Sequence, residues 1–108
     1  MRQYSGFELA NLHTSYLNKK IRITRDYWNN IIETKHRVMK GKENIVKETL
    51  KYPEEVRRST KDLNVYLYYK KTNNKYNCVV VKHLNGDGFI VTTYFTDRIK
   101  IGEKYETN

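Results

Sequence analysis

The chain of 108 residues has one cysteine and one proline, and it lacks any long hydrophobic run. A single thiol, that of Cys78, can form neither an internal disulfide nor a thiolate metal cluster, which fits a reducing compartment. No segment approaches the ~20 consecutive apolar residues of a membrane span, and residues 1–5 lead into no apolar signal sequence. These absences predict a protein that acts in the cytoplasm and not at a membrane.

The sequence motifs of metal, phosphate and acyl-transfer chemistry are also missing. His13, His36 and His83 are far apart, and no His-x-x-x-His or Cys-x-x-Cys spacing is present. There is no glycine-rich phosphate loop, no Gly-x-Ser-x-Gly elbow and no cluster of carboxylates for two metal ions. An enzyme of this sequence that acts on nucleic acid is therefore expected to need no metal and no cofactor.

Positive charge is what the sequence has in excess. Lys and Arg total 21 against 12 Asp and Glu, which gives a formal net charge of +9. Both halves of the chain carry the excess, so it belongs to the folded body and predicts a polyanionic partner. Ten tyrosines add rings on which bases can stack, and together these features favour a nucleic acid. The competing explanation is that lysines merely keep a small protein soluble.

Hydrophobic spacing predicts three helices in the first half of the chain, over residues 7–17, 25–36 and 42–51. A short strand at Ile21-Arg22-Ile23 precedes the second of them. Thr24 is suited to cap that helix, and Asp26 places a negative charge in its first turn. Pro53 stops the last helix because proline cannot continue a helical hydrogen-bond pattern.

The second half of the chain predicts an antiparallel sheet. Runs of β-branched and aromatic residues indicate strands over 65–69, 76–83 and 89–96, with room for a shorter one over 56–59. Turns follow at Thr72-Asn73-Asn74 and at Asn85-Gly86-Asp87-Gly88. The predicted fold is therefore α+β, one domain over residues 1–108, with N-terminal helices packed on a three- to four-stranded antiparallel sheet.

Alternation along the last strand predicts which of its residues face the core. Thr92 and Tyr94 share one face with Ile90 and Thr96. The opposite face is the more apolar one and should meet the helices, with Phe89, Val91, Thr93 and Phe95. The rest of the predicted core comprises Trp28, Ile31, Ile32, Ile45, Leu50, Val79 and Val81.

Proton transfer and phosphate binding each have candidate residues. His36 is the best candidate base, because it stands at the edge of the buried helix face and is directed toward the sheet. The hydroxyls of Thr92 and Tyr94 are a candidate phosphate contact. The corner between helices and sheet adds further phosphate-binding groups, Arg57, Arg58 and Ser59. The plain alternatives are a packed histidine, an exposed sheet surface and a solvated basic corner.

Tyrosines and a lysine of the sheet are the remaining candidates. Tyr66 and Tyr68 share a strand face, where they either stack on RNA bases or merely cover the sheet. Lys82 follows an apolar strand and is a second candidate phosphate clamp.

A series of motifs occurs in a definite order between residues 21 and 104. It consists of Ile23-Thr24, Trp28-x-x-Ile31, His36, Ile45-x-x-Thr49-Leu50-x-x-Pro53-Glu54-x-Val56, Ser59, Leu67-Tyr68-Tyr69-Lys70, Val79-Val80-Val81-Lys82 and the run from Gly88 to Asp97. This order resembles the phage and mobile-element nuclease domains of the barnase–EndoU–colicin–RelE-like (BECR) group. The Pro-Glu-x-Val and Ile-Val-Thr-Thr-Tyr segments are its most specific parts. The resemblance implies a small RNase, often a toxin, with helices packed on an antiparallel sheet.

The resemblance also implies roles for individual residues. His36 matches the histidine at the end of the first family helix and is expected to act as general base or acid. Thr92 and Tyr94 match the threonine and tyrosine of the last strand, and are expected to contact the oxyanion or the leaving group. Arg58 and Ser59 fall on the polar segment after the Pro-Glu-x-Val turn, where Arg58 is expected to clamp the phosphate.

The leading hypothesis is a metal-independent endoribonuclease, toxin-like or phage-borne, that cleaves cellular RNA such as tRNA through its 2′-hydroxyl. An acidic antitoxin or immunity protein is the expected protein partner. One alternative is a catalytically inert module of the same fold that binds RNA or DNA, favoured because Asn30 stands where the family has a second histidine and Arg37 where it has proline. The other is an interaction partner whose basic face meets an acidic protein.

Overall fold

The structure, a computed structural model, describes residues 20–84, 87–99 and 103–104. The helical segments are α1 (Arg25–Asn30), a π-helical turn (Ile31–Lys35), a 3-10 turn (Arg37–Met39) and α2 (Glu43–Lys51). The strands are β1 (Lys20–Arg22), β2 (Glu55–Arg58), β3 (Val65–Thr72), β4 (Lys75–His83), β5 (Asp87–Thr96) and β6 (Glu103–Lys104). The helix predicted over residues 7–17 lies outside the described residues.

The strands form one mixed sheet in the order β1-β5-β4-β3-β2-β6. β1 runs parallel to β5, and all other neighbours are antiparallel. The α+β class is confirmed, but the prediction of three to four antiparallel strands underestimates the sheet. The two edge strands, β1 and β6, have only three and two residues, too few for a hydrophobic period to mark them both.

α1 begins and α2 ends where the sequence predicts, whereas the helix predicted over 25–36 is α-helical only to Asn30 and continues as the π-helical turn. Thr24 Oγ1 accepts a hydrogen bond from Tyr27 N at 3.1 Å, and Asp26 stands in the first turn of α1. α2 ends at Lys51, two residues before Pro53. α1 is only six residues long, so its stability depends on burying Trp28 rather than on helix propensity.

A β-bulge in β5 changes which of its residues face the helices. Val91 is the extra residue, since its neighbours Ile90 and Thr92 pair with consecutive residues of β4. The alternation is therefore reversed on the N-terminal side of the bulge. Ile90 is fully buried, whereas Phe89, which was expected in the core, is 41% exposed. The predicted orientation of β5 is right from Thr92 onward and wrong before it.

The core lies between the helical segment and one face of the sheet. Trp28, Ile31, Leu50, Val79 and Val81 are buried as predicted. Ile32 and Phe95 are partly buried against the same cluster. Ile45 is only half-buried, and its neighbour Val46 is the residue of α2 that enters the core.

A buried polar network ties α2 to the sheet. Thr49 Oγ1 donates to Asn77 Oδ1 (2.7 Å), and Asn77 Nδ2 donates to Thr93 Oγ1 (3.1 Å). Thr93 Oγ1 in turn donates to the backbone oxygen of Cys78 at 2.9 Å. Asn77, Thr49 and Thr93 are all fully buried, so each polar group needs the partner it has here.

Replacing Asn77 by alanine is expected to lower the free energy of unfolding by about 1–3 kcal/mol, because two buried hydroxyls each lose one hydrogen bond and keep only a backbone partner. Asn44→Ala, at an exposed position of α2, is the control and should change stability little. Urea denaturation measures both variants. Equal stability of the two would contradict a structural role for the network.

Candidate functional site

His36 lies between the π-helical turn and the 3-10 turn. Its backbone N donates to the oxygen of Ile31, five residues back, at 2.7 Å. The wider turn adds one residue to the helix and so shifts His36 out of register with Trp28 and Ile32. Its imidazole lies beside the ring of Tyr94, with the two ring centroids 5.4 Å apart and the planes tilted by 42°.

The two rings meet at the outer edge of β5. β1 pairs only with Asp87, Gly88 and Phe89. Beyond Phe89, no strand among the described residues pairs with this side of β5, and the 3-10 turn packs against the strand. Tyr94 pairs with Cys78 and packs on the sheet face opposite the helices. The sequence directs His36 toward the sheet, and its ring reaches Tyr94 there.

The hydroxyls of Tyr94 and Thr92 differ in their surroundings. Burial raises the pKa of Tyr94 well above its ordinary range, and the Cys78 and Tyr69 side chains, which hydrogen-bond its hydroxyl, raise it further. The phenol therefore stays protonated beside these two partners. Thr92 Oγ1 is buried and has no hydrogen-bond partner within the part of the chain that the structure describes.

A cavity of about 300 Å³ opens on the sheet face that carries Tyr94. Its floor is apolar and aromatic, formed by residues of the three central strands, Leu67, Tyr69, Val80 and Tyr94. Its opposite rim is the polar corner after β2, with Arg57, Arg58, Ser59 and Lys61. The structure thus brings Tyr94 and the predicted polar corner to one concavity.

The register across the sheet gives the dimensions of this face. Arg57 pairs with Leu67, Leu67 with Val80, and Val80 with Thr92. Arg57 and Thr92 are therefore the two ends of one row, separated by three strand spacings, or about 14 Å between backbones. An apolar floor lies between a cationic end and a hydroxyl end.

The two adjacent arginines face opposite sides of the sheet. Arg57 Nη2 pairs with Glu55 Oε2 at 2.5 Å, and both side chains are about three-quarters buried. Arg58 lines the cavity, yet its Nε donates to the oxygen of Leu63 (2.8 Å) and its guanidinium lies over the ring of Tyr66. Arg57 is the arginine whose side chain shares a face with Tyr94.

Ser59 and Lys82 also hold local contacts. Ser59 Oγ accepts from the backbone N of Lys61 (3.1 Å) and of Asp62 (3.3 Å), which leaves its own proton available for donation. Lys82 Nζ donates to Asp62 Oδ2 at 3.1 Å. A hydrogen bond from the Asn64 backbone and the one from Lys82 lower the pKa of the Asp62 carboxyl. Lys82 does not line the cavity.

Tyr66 and Tyr68 pack in the core, so neither offers a ring to a base. Tyr68 is fully buried and its hydroxyl hydrogen-bonds His83 Nε2 at 2.9 Å. Tyr66 is 8% exposed and stacks on the His83 ring with centroids 4.0 Å apart. Of the two alternatives for these tyrosines, covering the sheet is the one that holds. Alternation along β3 places Val65, Leu67 and Tyr69 on the cavity side. This alternation is the sequence signal that predicts them as cavity residues.

No group of three or more His, Cys, Asp or Glu side chains suited to a metal ion occurs among the residues described here. In the same part of the chain, no helix is both long and apolar enough to cross a membrane. No protein-family model, curated protein or solved structure matches the chain. The site therefore rests on its own geometry, in which the His36 ring meets Tyr94 at the edge of β5 and Tyr94 lines a cavity with Arg57 and Lys61.

Proposed function

We propose that the protein is a metal-independent endoribonuclease whose site is the face formed by His36, Tyr94 and the adjacent cavity. The observation that carries this proposal is the 5.4 Å approach of the His36 ring to Tyr94, a residue that also lines a cavity with Arg57 and Ser59. An imidazole and a protonated phenol near a basic pocket are groups that RNA cleavage without metal requires.

The proposed reaction uses the RNA's own 2′-hydroxyl as the nucleophile. Its oxygen attacks the adjacent phosphorus and the bond to the 5′ oxygen breaks, which leaves a 2′,3′-cyclic phosphate and a free 5′-hydroxyl. His36 accepts the proton from the 2′-hydroxyl, and a water molecule gives the leaving 5′ oxygen the proton that it needs. Tyr94, held in its protonated form by burial, donates a hydrogen bond to the phosphate as negative charge develops.

The cavity supplies binding rather than proton transfer. Arg57, which also pairs with Glu55, and Lys61 carry the positive charge that the phosphates meet on this face, and Ser59 adds a hydroxyl donor. The apolar floor of Leu67 and Val80 gives a base or ribose a dry surface between the two ends of the row. RNA that spans this row places one phosphate at the histidine end and another at the arginine end.

We extend the proposal to the protein's class. The α+β fold and the ordered motifs that resemble BECR domains support a RelE-like nuclease of toxin-like or phage-borne type. Its substrate is then cellular RNA such as tRNA in the cytoplasm, and its natural inhibitor an acidic antitoxin or immunity protein. A net charge of +9 supports both polyanionic RNA and an acidic partner.

Cleavage of RNA in excess EDTA tests the proposal, with Tyr94→Phe beside the wild type. The variant keeps the aromatic ring and loses one donor, so we expect the rate to fall on the order of 10²–10³-fold. Tyr52→Phe is the matched control, since Tyr52 is 56% exposed and away from the site. RNA binding by the wild type without any cleavage would favour the inert module instead.

RNA affinity is expected to fall steeply with salt concentration, because phosphate contacts release counterions. The slope of log affinity against log salt is roughly −0.7 for each contact with single-stranded RNA. Arg57→Gln, alone and with Arg58→Gln, should make the slope shallower by about one contact per arginine that binds phosphate. Lys47→Gln in α2 is the control for net charge. An affinity that does not respond to salt would exclude the RNA partner.

A further inference from the structure

A second, larger pocket lies at the end of the sheet where β1 joins β5. Its volume is about 470 Å³, within the usual range for small-molecule sites. Tyr27, Leu84 and Phe89 give it aromatic and aliphatic walls. Leu84 is 48% exposed and Phe89 41% exposed, so large apolar groups remain open to solvent at its mouth.

Two oppositely charged groups lie side by side in the lining of this pocket. Arg22 Nη2 lies 3.7 Å from Asp87 Oδ2, a distance too long for a hydrogen bond. Arg22 Nε is buried and has no acceptor among the described residues. Buried donors in proteins normally have a hydrogen-bond partner. Arg22 and Asp87 both line the pocket.

We infer that this pocket binds a guanine base of the RNA. A planar base fits against the ring of Phe89, and stacking on an aromatic ring is the general way in which proteins hold unpaired bases. Guanine presents on one edge an oxygen acceptor, which suits the Arg22 guanidinium, and two adjacent N–H donors, which suit the Asp87 carboxylate. No other standard RNA base offers two adjacent N–H donors to a carboxylate on that edge.

The carboxylate argues against a phosphate in the same place. Asp87 carries negative charge and repels a phosphate, whereas carboxylates are used to accept hydrogen bonds from base N–H groups. An acidic side chain in a basic surface that binds RNA is therefore suited to reading a base rather than to holding the backbone.

The position of the pocket fits one RNA strand that also occupies the proposed active site, and the inference rests on that proposed function for its ligand. Phe89 pairs with Lys82 and Tyr94 with Cys78, so both side chains lie on the same sheet face. Their partners are four residues apart along β4, which corresponds to about 13 Å. A guanine bound at Phe89 would determine which segment of the RNA reaches His36.

Direct binding of the four nucleoside 5′-monophosphates, measured by titration calorimetry, tests the inference. All four share one phosphate, so differences between them report the base. We expect GMP to bind the wild type most tightly. Asp87→Asn should weaken GMP about tenfold and remove its advantage over AMP. Phe89→Ala should weaken all four nucleotides by about tenfold, because stacking does not depend on the base.

Tyr52→Ala, which also removes an exposed aromatic ring, is the control and should bind GMP as the wild type does. Equal binding of the four nucleotides, or binding that Phe89→Ala leaves unchanged, would overturn the inference. GMP binding with the expected dependences, but no RNA cleavage, would support the pocket and overturn the nuclease. Cleavage in EDTA without GMP preference or guanine preference would support the nuclease and overturn the pocket.

Discussion

Replacing His36 by alanine is expected to lower the rate of RNA cleavage on the order of 10²–10⁴-fold, the usual contribution of a positioned proton-transfer group. His36 is the imidazole next to Tyr94 on the proposed active face. Because it does not line the cavity, RNA affinity should stay near that of the wild type. Single-turnover cleavage in EDTA gives the rate, and filter binding gives the affinity.

Val38→Ala is the matched control for His36→Ala. Val38 lies two residues away in the same segment, is 60% exposed and carries no charge, so it tests whether any change in this segment slows cleavage. A control that loses as much activity as His36→Ala would show that the segment, and not the imidazole, is needed. Wild-type cleavage by His36→Ala would remove the histidine from the mechanism.

Replacing Trp28 by alanine is expected to lower the free energy of unfolding by about 3–5 kcal/mol, as for other buried large aromatic residues. Trp28 is 1% exposed and is the buried residue of a helix only six residues long. Stabilities of small domains are about 5–15 kcal/mol, so the loss is a large share of the total. Urea denaturation measures it.

Tyr52→Ala is the control for Trp28→Ala, since it removes an aromatic side chain that is 56% exposed. Trp28→Phe should lose less stability than Trp28→Ala because it leaves a smaller cavity. The folded fraction of the Trp28→Ala protein should also cleave RNA more slowly, because α1 leads directly into the turn that positions His36. A Trp28→Ala protein as stable as the control would mean that α1 does not anchor this segment.

The central architecture could be predicted because local signals and packing agree there. The Thr24 cap, the stop at Pro53 and the hairpin turn at Asn73, which adopts a positive φ of 56°, are each visible in a few residues of sequence. Of the edge strands, β1 was predicted as a short strand, to within one residue, while its place in the sheet and β6 were not. β1 is defined by its parallel pairing with β5, a contact between residues more than 60 positions apart.

The error in the orientation of β5 has a physical cause, the insertion of a residue into a regular strand. The bulge at Val91 reverses the alternation, so that Phe89 faces solvent and Ile90 the core. The π-helical turn similarly shifts the phase of the helix before His36. Both devices also place functional groups, since one exposes the ring of the guanine pocket and the other brings the imidazole to Tyr94.

The site itself was partly visible in the sequence. His36, Tyr94 and the polar corner at Arg57 could be named from residue chemistry and resemblance, and they do lie on or beside one face. The opposite orientations of Arg57 and Arg58 follow from alternation along β2, and Tyr66 and Tyr68 share a face for the same reason. Which face packs against the helices depends on tertiary contacts, which alternation along one strand does not specify.

The most direct test of the central claim compares an RNA oligonucleotide with its 2′-deoxy counterpart in excess EDTA, with the products identified by mass spectrometry. The proposed chemistry predicts that the RNA is cut to fragments that end in a 2′,3′-cyclic phosphate and a 5′-hydroxyl, and that the deoxy strand stays intact. Intact RNA, or cleavage of both strands, would contradict a ribonuclease that uses the 2′-hydroxyl as its nucleophile.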